Sequence, residues 1–176
     1  MDWNLVVAGI KTLRHITKVV RGGPVAVFLA VALFSAVPAG SAEHDVLQLS
    51  DYRGKIVVLD FWASWCVPCR RSFPWMNDMQ HKYGDKGLVV IAVNLDNEPD
   101  DAAKFLQEYP ADFTIAYDRG GKLARQYSVE AMPSSFVIDR GGQIIERHLG
   151  FKSGRTEEYE AVIVAALQMN QEFGED

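Results

Sequence analysis

Cys66 and Cys69 are the only cysteines of the 176-residue chain. They stand two residues apart in the stretch DFWASWCVPCRRSFP, residues 60–74, directly after an apolar run. Two thiols at this spacing can form a structural bridge, supply half of a metal site, or cycle as a redox pair. A small domain stapled by disulfides needs more cysteines. Zinc needs four ligands, and His44, His81 and His148 lack the paired spacing of zinc motifs. His81 reads as part of a polar helix face, His44 lies near the start of the domain, and His148 alternates outward on a hairpin strand. Each therefore reads as a solvated surface residue. A redox dithiol is the chemistry that remains.

That chemistry depends on placement. A cysteine in the first turn of a helix faces unpaired backbone N–H groups and the positive end of the helix dipole, and both favour the thiolate. Cys66 is accordingly read as the nucleophile. Cys69, one turn further in, is read as the resolving thiol that attacks the sulfur of Cys66 once a mixed disulfide has formed. Pro68 fits the first helical turn, where a missing N–H costs little.

The elements that must position this pair alternate between short apolar runs and helix-period segments, the pattern of an α/β layered domain. KIVVLDFWA (55–63) reads as a central strand buried on both faces. A helix is expected from Cys66 to about Tyr83, with Phe73, Met76 and Tyr83 on one face and Arg70, Arg71, Asp78, His81 and Lys82 on the other. GLVVIAVNLD (87–96) reads as a second buried strand, and EPDDAAKFLQEY as a helix opened by Pro99. The acids Asp96, Glu98, Asp100 and Asp101 lack the glycine and terminal glutamate of a calcium loop and read as that helix start. FTIAYD is expected as a short strand and GKLARQY as a short helix. SFVIDRGGQIIERHLG (135–150) reads as a hairpin turning at 140–142. EEYEAVIVAALQ reads as a closing helix with Tyr159, Ile163 and Ala166 along one side.

Residues 1–42 differ from the rest. Lys11, Arg14, Lys18 and Arg21 precede the apolar VAVFLAVALFSAV and the small residues AGSA, the order of a secretory signal cut after Ala42. An uncleaved anchor is the alternative, since no charge falls between Arg21 and Glu43. Both readings place a single domain, 43–176, outside the cytoplasm. With 48% hydrophobic and 23% charged residues and a net charge of −5, made more acidic by loss of the basic leader, such a domain repels nucleic acid and anionic membrane surfaces.

FWASWCVPC, Pro74, VNLD, the segment 98–118 and AMPSSFVIDRGGQI (131–144) together resemble the thioredoxin superfamily, and within it the extracytoplasmic TlpA/ResA branch. The resemblance implies a thioredoxin-like fold: a central mixed β-sheet flanked by helices, with a central insertion and here a shortened N-terminal hairpin. It implies a cis bond before Pro133 beside the sulfurs. It also implies that the backbone of Met132 pairs with an extended substrate segment, with Trp65, Val67 and Pro68 flanking the sulfurs. Where members of the branch often carry Asn six residues before the first cysteine and Glu three after the second, this chain has Asp60 and Ser72. Asp60 matches the buried acid of thioredoxin itself, and a carboxyl group buried beneath the cysteines would take the proton of Cys69.

The implied activity is periplasmic protein thiol–disulfide exchange without a cofactor, on disulfide-containing proteins such as apocytochrome c or copper-handling proteins. Electrons would come from a membrane donor of the DsbD or CcdA type. The uncharged Val67-Pro68 dipeptide adds little thiolate stabilisation, which favours a reducing pair, near thioredoxin's potential of about −270 mV. Two other readings fit less well. A Sco-like copper chaperone separates its cysteines by three residues and adds a histidine, for which His148 is a loose candidate. A peroxiredoxin places Thr three residues before a lone reactive cysteine, where this chain has Ala63.

Overall fold

The computed structural model describes residues 47–169. The expected signal or anchor, His44 and the shortened N-terminal hairpin fall on or largely on residues outside that range. No helix among the described residues is long and apolar enough to cross a membrane.

Two long apolar runs form the centre of the sheet. β1 (Ile56–Trp62) is buried at every position, and β2 (Leu88–Asn94) pairs with it in parallel, Ile56 opposite Leu88 and Trp62 opposite Asn94. Parallel strands require a crossover, and α1 (Cys69–Tyr83) supplies it. After β2, α2 (Pro99–Glu108) begins at Pro99 with Asp100 and Asp101 in its first turn, where a missing N–H and negative charge both suit a helix start. The segment 98–118 then ends in β3 (Thr114–Tyr117), parallel to β2 at the sheet edge. α3 (Lys122–Gln126) leads to the hairpin of β4 (Ser134–Ile138) and β5 (Ile144–Leu149), antiparallel to β1 and to each other respectively. The hairpin turn uses Gly142 at φ 81°, and Asp139 accepts from the Gln143 N–H. α4 (Thr156–Gln168) closes the chain. The strand order is β3-β2-β1-β4-β5. This is the mixed, helix-flanked sheet of a thioredoxin-like fold.

Alternation along β1 divides the core. Val57, Leu59 and Phe61 face one layer with Ile91, Val93 and Phe136. Val58 and Trp62 face the other, with α1, α2 and α4. In that second layer Trp62, Phe73 and Phe105 meet pairwise at ring-centroid distances of 4.9, 4.7 and 4.9 Å. The cluster ties β1, α1 and α2 together beneath the cysteines. Burial of rings of this size contributes about 1.5–3 kcal/mol each. The expected faces of α1 and α4 are observed: Phe73, Met76 and Tyr83 are buried, joined by Met79, as are Tyr159, Ile163 and Ala166.

Candidate active site

The chain leaves β1 at Trp62 and turns toward α1. Cys66 N–H donates to the Ala63 carbonyl at 3.0 Å and Cys69 N–H to the Cys66 carbonyl at 3.1 Å. The first bond of α-helical span runs from Ser72 N–H to the Pro68 carbonyl at 3.2 Å. α1 therefore opens at Cys69, three residues later than expected, with Pro68 (φ −62°, ψ −27°) at its N-cap. Cys66 occupies a tighter turn just ahead of the helix, because the bonds there close over three residues rather than four.

Cys66 and Cys69 are joined as a disulfide with Cα atoms 5.4 Å apart. Cys69 is fully buried and Cys66 keeps 3% of its surface, while Trp65 and Val67 on either side of Cys66 are 67% and 55% exposed. An incoming group meets an apolar rim, then Cys66. Arg70 and Arg71 are exposed on the outer side of α1.

The peptide bond between Met132 and Pro133 is cis. Pro133 is buried, and Met132 packs half-buried against the core layer that contains Cys66, Cys69 and Trp62. Ser72 is buried and donates to the Cys69 carbonyl at 3.1 Å, so it fastens the helix start rather than handling a sulfur's proton.

Asp60 is wholly buried in the middle of β1. Ser135, its cross-strand partner on β4, donates to Asp60 Oδ1 at 2.5 Å, and Oδ2 has no hydrogen-bond partner. Burial pushes the carboxyl group up to about 7, with the Ser135 bond pulling weakly the other way. The acid is thus poised to exchange a proton near neutral pH. Sequence reasoning missed Ser135, because its role appears only once the hairpin register sets it opposite Asp60.

The sequence groups Asp96 with the start of α2, and the structure gives it another task. It is buried and accepts from Ser64 N–H at 2.9 Å, Ser64 Oγ at 3.0 Å and Asn94 Nδ2 at 2.7 Å. With Leu95 N–H donating to the Trp62 carbonyl at 2.9 Å, these bonds tie the loop after β2 to the turn that carries Cys66. The only hint in the sequence was an acid directly following an apolar strand. Asp96→Ala leaves the part-buried Ser64 N–H without its acceptor, and bonds to charged groups are the stronger ones. The expected loss is about 3 kcal/mol, read by thermal denaturation as a fall in Tm of roughly 10 °C.

His148 also departs from expectation. It is half-buried rather than outward-facing, with its ring 4.6 Å from that of Tyr159 and its Nε2 buried without a partner. The reason is register. His148 pairs with Ser135 on the face covered by α4, so Ile145 and Leu149 take the solvent face of β5. His81 is a surface residue, 3.2 Å from Asp112. Among the described residues no group of three or more His, Cys, Asp or Glu side chains converges as metal ligands.

A thioredoxin-like sheet with a buried Cys-X-X-Cys disulfide at the mouth of its first long helix defines the class, a thioredoxin-superfamily protein with a redox-type cysteine pair. Comparison with known proteins gives the family. The Redoxin family model matches residues 34–163. ResA, a thiol-disulfide oxidoreductase of Oceanobacillus iheyensis, is 32% identical over 142 residues, covering 81% of this chain and 72% of that protein. ResA of Bacillus cereus is 38% identical over 108 residues, and the match spans 62% of that protein's length. Among solved structures, a putative thiol:disulfide interchange protein DsbE from Chlorobium tepidum is 55% identical with a TM-score of 0.67, covering 69% of this chain and 86% of that one. The chain belongs to the Redoxin family, within its TlpA/ResA-like group.

Proposed function

We propose that the protein is a thiol–disulfide oxidoreductase that reduces disulfides of extracytoplasmic proteins. The observation that carries this reading is the asymmetry of the Cys66–Cys69 pair, in which all the remaining exposure belongs to Cys66 and its apolar neighbours Trp65 and Val67. The similarity to ResA and DsbE proteins, named for disulfide chemistry, supports it.

In the cycle the Cys66 thiolate attacks one sulfur of a substrate disulfide and releases the other as a thiolate. Cys69 then attacks Cys66 Sγ, the bond to the substrate breaks, and the substrate leaves carrying both electrons. Asp60 takes the proton of Cys69 during the second step. Trp65, Val67 and Pro68 form the apolar rim against which the substrate docks, and the Met132 backbone beside Pro133 pairs with its extended segment. A membrane donor of the DsbD or CcdA type would restore the dithiol, and apocytochrome c or copper-handling proteins are the substrates that fit such a supply. This reading takes 1–42 as the segment that brings the domain, 43–176, to the periplasm.

The test is a trap. Expressed in its own compartment, Cys69→Ala is expected to remain disulfide-bonded to its substrates through Cys66, so that non-reducing gels followed by mass spectrometry of the adducts name them. A variant that captures no protein through Cys66 would remove the two-step exchange.

A further inference from the structure

Three buried side-chain atoms among the described residues lack a hydrogen-bond partner: Asp60 Oδ2, Trp62 Nε1 and His148 Nε2. All three lie on the same face of the sheet, and two of them end one cross-strand row. Asp60 on β1 stands opposite Ser135 on β4, and Ser135 stands opposite His148 on β5. Ser135 already donates to Asp60. On its other side, a small, partly open cavity of about 10 Å³ lies among Val58, Trp75, Ser135, His148, Phe151 and Tyr159, room for about one water molecule. The Ser135 hydroxyl and the unpartnered His148 Nε2 supply the polar contacts such a water needs. His148 also lines an open groove with Glu146, Arg155 and Glu158. One imidazole thus borders both the interior beside Ser135 and bulk solvent.

We propose that His148 is the solvent-side end of a proton relay, Asp60–Ser135–water–His148, through which the proton taken from Cys69 leaves the buried site. The proposal rests on Asp60 being the acceptor of that proton. When Cys69 attacks Cys66 Sγ, a sulfur–sulfur bond forms, the bond to the substrate breaks, and the Cys69 proton goes to Asp60. The protonated carboxyl donates to Ser135 Oγ while the Ser135 hydroxyl passes its own proton to the water. The water protonates His148 Nε2, and the other ring nitrogen returns a proton to the groove. No electrons move beyond the disulfide exchange itself.

The surroundings of His148 suit this role. Burial lowers its affinity for a proton, Glu146 on its own strand raises it, Arg155 ahead of α4 lowers it and Glu158 on α4 raises it again. Tyr159 faces the ring from α4, Ser135 is its neighbour on β4 with Asp60 beyond, and α1 contributes only the indole of Trp75 to the shared cavity. The ring is therefore neutral at pH 7 and able to accept.

The experiment follows the full chain in the dithiol state, reacted with saturating oxidised glutathione so that attack of Cys69 on the Cys66–glutathione bond limits the rate, with acid-quenched samples resolved by mass. His148→Ala is expected to slow this step about tenfold at pH 7, a fraction of what general acid–base catalysis can supply. Added imidazole is expected to restore it in proportion to concentration, entering the space the side chain vacated. Ser135→Ala is expected to be slow and insensitive to imidazole, and it stands in should His148→Ala fail to fold. A His148→Ala step at the wild-type rate, or slow but indifferent to imidazole, would overturn the relay. So would Ser135→Ala at the wild-type rate. If Asp60→Asn is slow while His148→Ala is not, the relay falls and Asp60 stands as the acceptor. If Asp60→Asn resolves at the wild-type rate, the acceptor falls and the relay with it.

Discussion

Cys66→Ser is expected to lower the rate of insulin-disulfide reduction by roughly 10³-fold or more, to the background of the reductant alone, because a neutral hydroxyl in the same turn is a far weaker nucleophile than a thiolate. Cys69→Ala is expected to react once at Cys66 and then stall. The two variants therefore separate in the assay that matters: neither turns over, but the second accumulates one equivalent of mixed disulfide, countable by mass. The asymmetry follows from burial. Cys69 has no exposed surface, whereas Cys66 sits between two exposed apolar side chains. Appreciable turnover by Cys66→Ser would mean that Cys69 can act first, and the division of labour would be wrong.

Asp60→Asn is expected to make the protein more stable at pH 8 by about 2–4 kcal/mol while leaving it nearly unchanged at pH 4. The native carboxyl group titrates at about 7 and the free group at 3.8. Between those values the folded chain holds a proton that the unfolded chain has lost, so wild-type stability falls as the pH rises through that window. Above about pH 7 both states are ionised and the full penalty of a buried charge is present. Three units at about 1.36 kcal/mol each set the scale, reduced because the added amide donors have only Ser135 to meet. Urea denaturation at pH 4, 6 and 8 checks this, with the difference between variant and wild type growing across the series. A flat difference would place the carboxyl group near its ordinary value. A protein that gives up this much stability at its centre retains the acid for its chemistry rather than for its fold, which fits the proton acceptor proposed for Cys69.

The residues that defined the layers could be read directly. An apolar run without alternation marks a strand covered on both faces, and β1 and β2 are such strands. Helical spacing placed Phe73, Met76 and Tyr83 on the inner side of α1. The Cys-X-X-Cys spacing and the position of Asp60 in β1 could also be read, because chemistry that depends on neighbours in sequence leaves its trace there. What stayed hidden depends on register across the sheet. Ser135 matters because it lies opposite Asp60, 75 positions away, and nothing local marks one serine of the pair Ser134–Ser135 over the other. Asp96 looked like helix-start acidity because the residues after it are that, while its own bonds reach back 32 positions to Ser64. His148 was misplaced by alternation itself. On β5 the apolar Ile145 and Leu149 face solvent and the imidazole turns inward, so hydrophobicity pointed the wrong way.

One property of β1 reaches beyond packing. Every one of its residues is buried, and it is hydrogen-bonded on both sides, to β2 and to β4. In terms of hydrogen exchange, such a strand opens only when the whole domain unfolds, at the full free energy of stability. Asp60 is part of this strand, and the turn bearing Cys66 leaves its end, so the reacting groups are anchored to the segment least able to breathe. Water cannot reach the acid by local fraying of this strand. On the proposed cycle, what moves is the partner arriving and departing at the exposed Trp65–Val67 rim, while the strand that carries Asp60 stays closed.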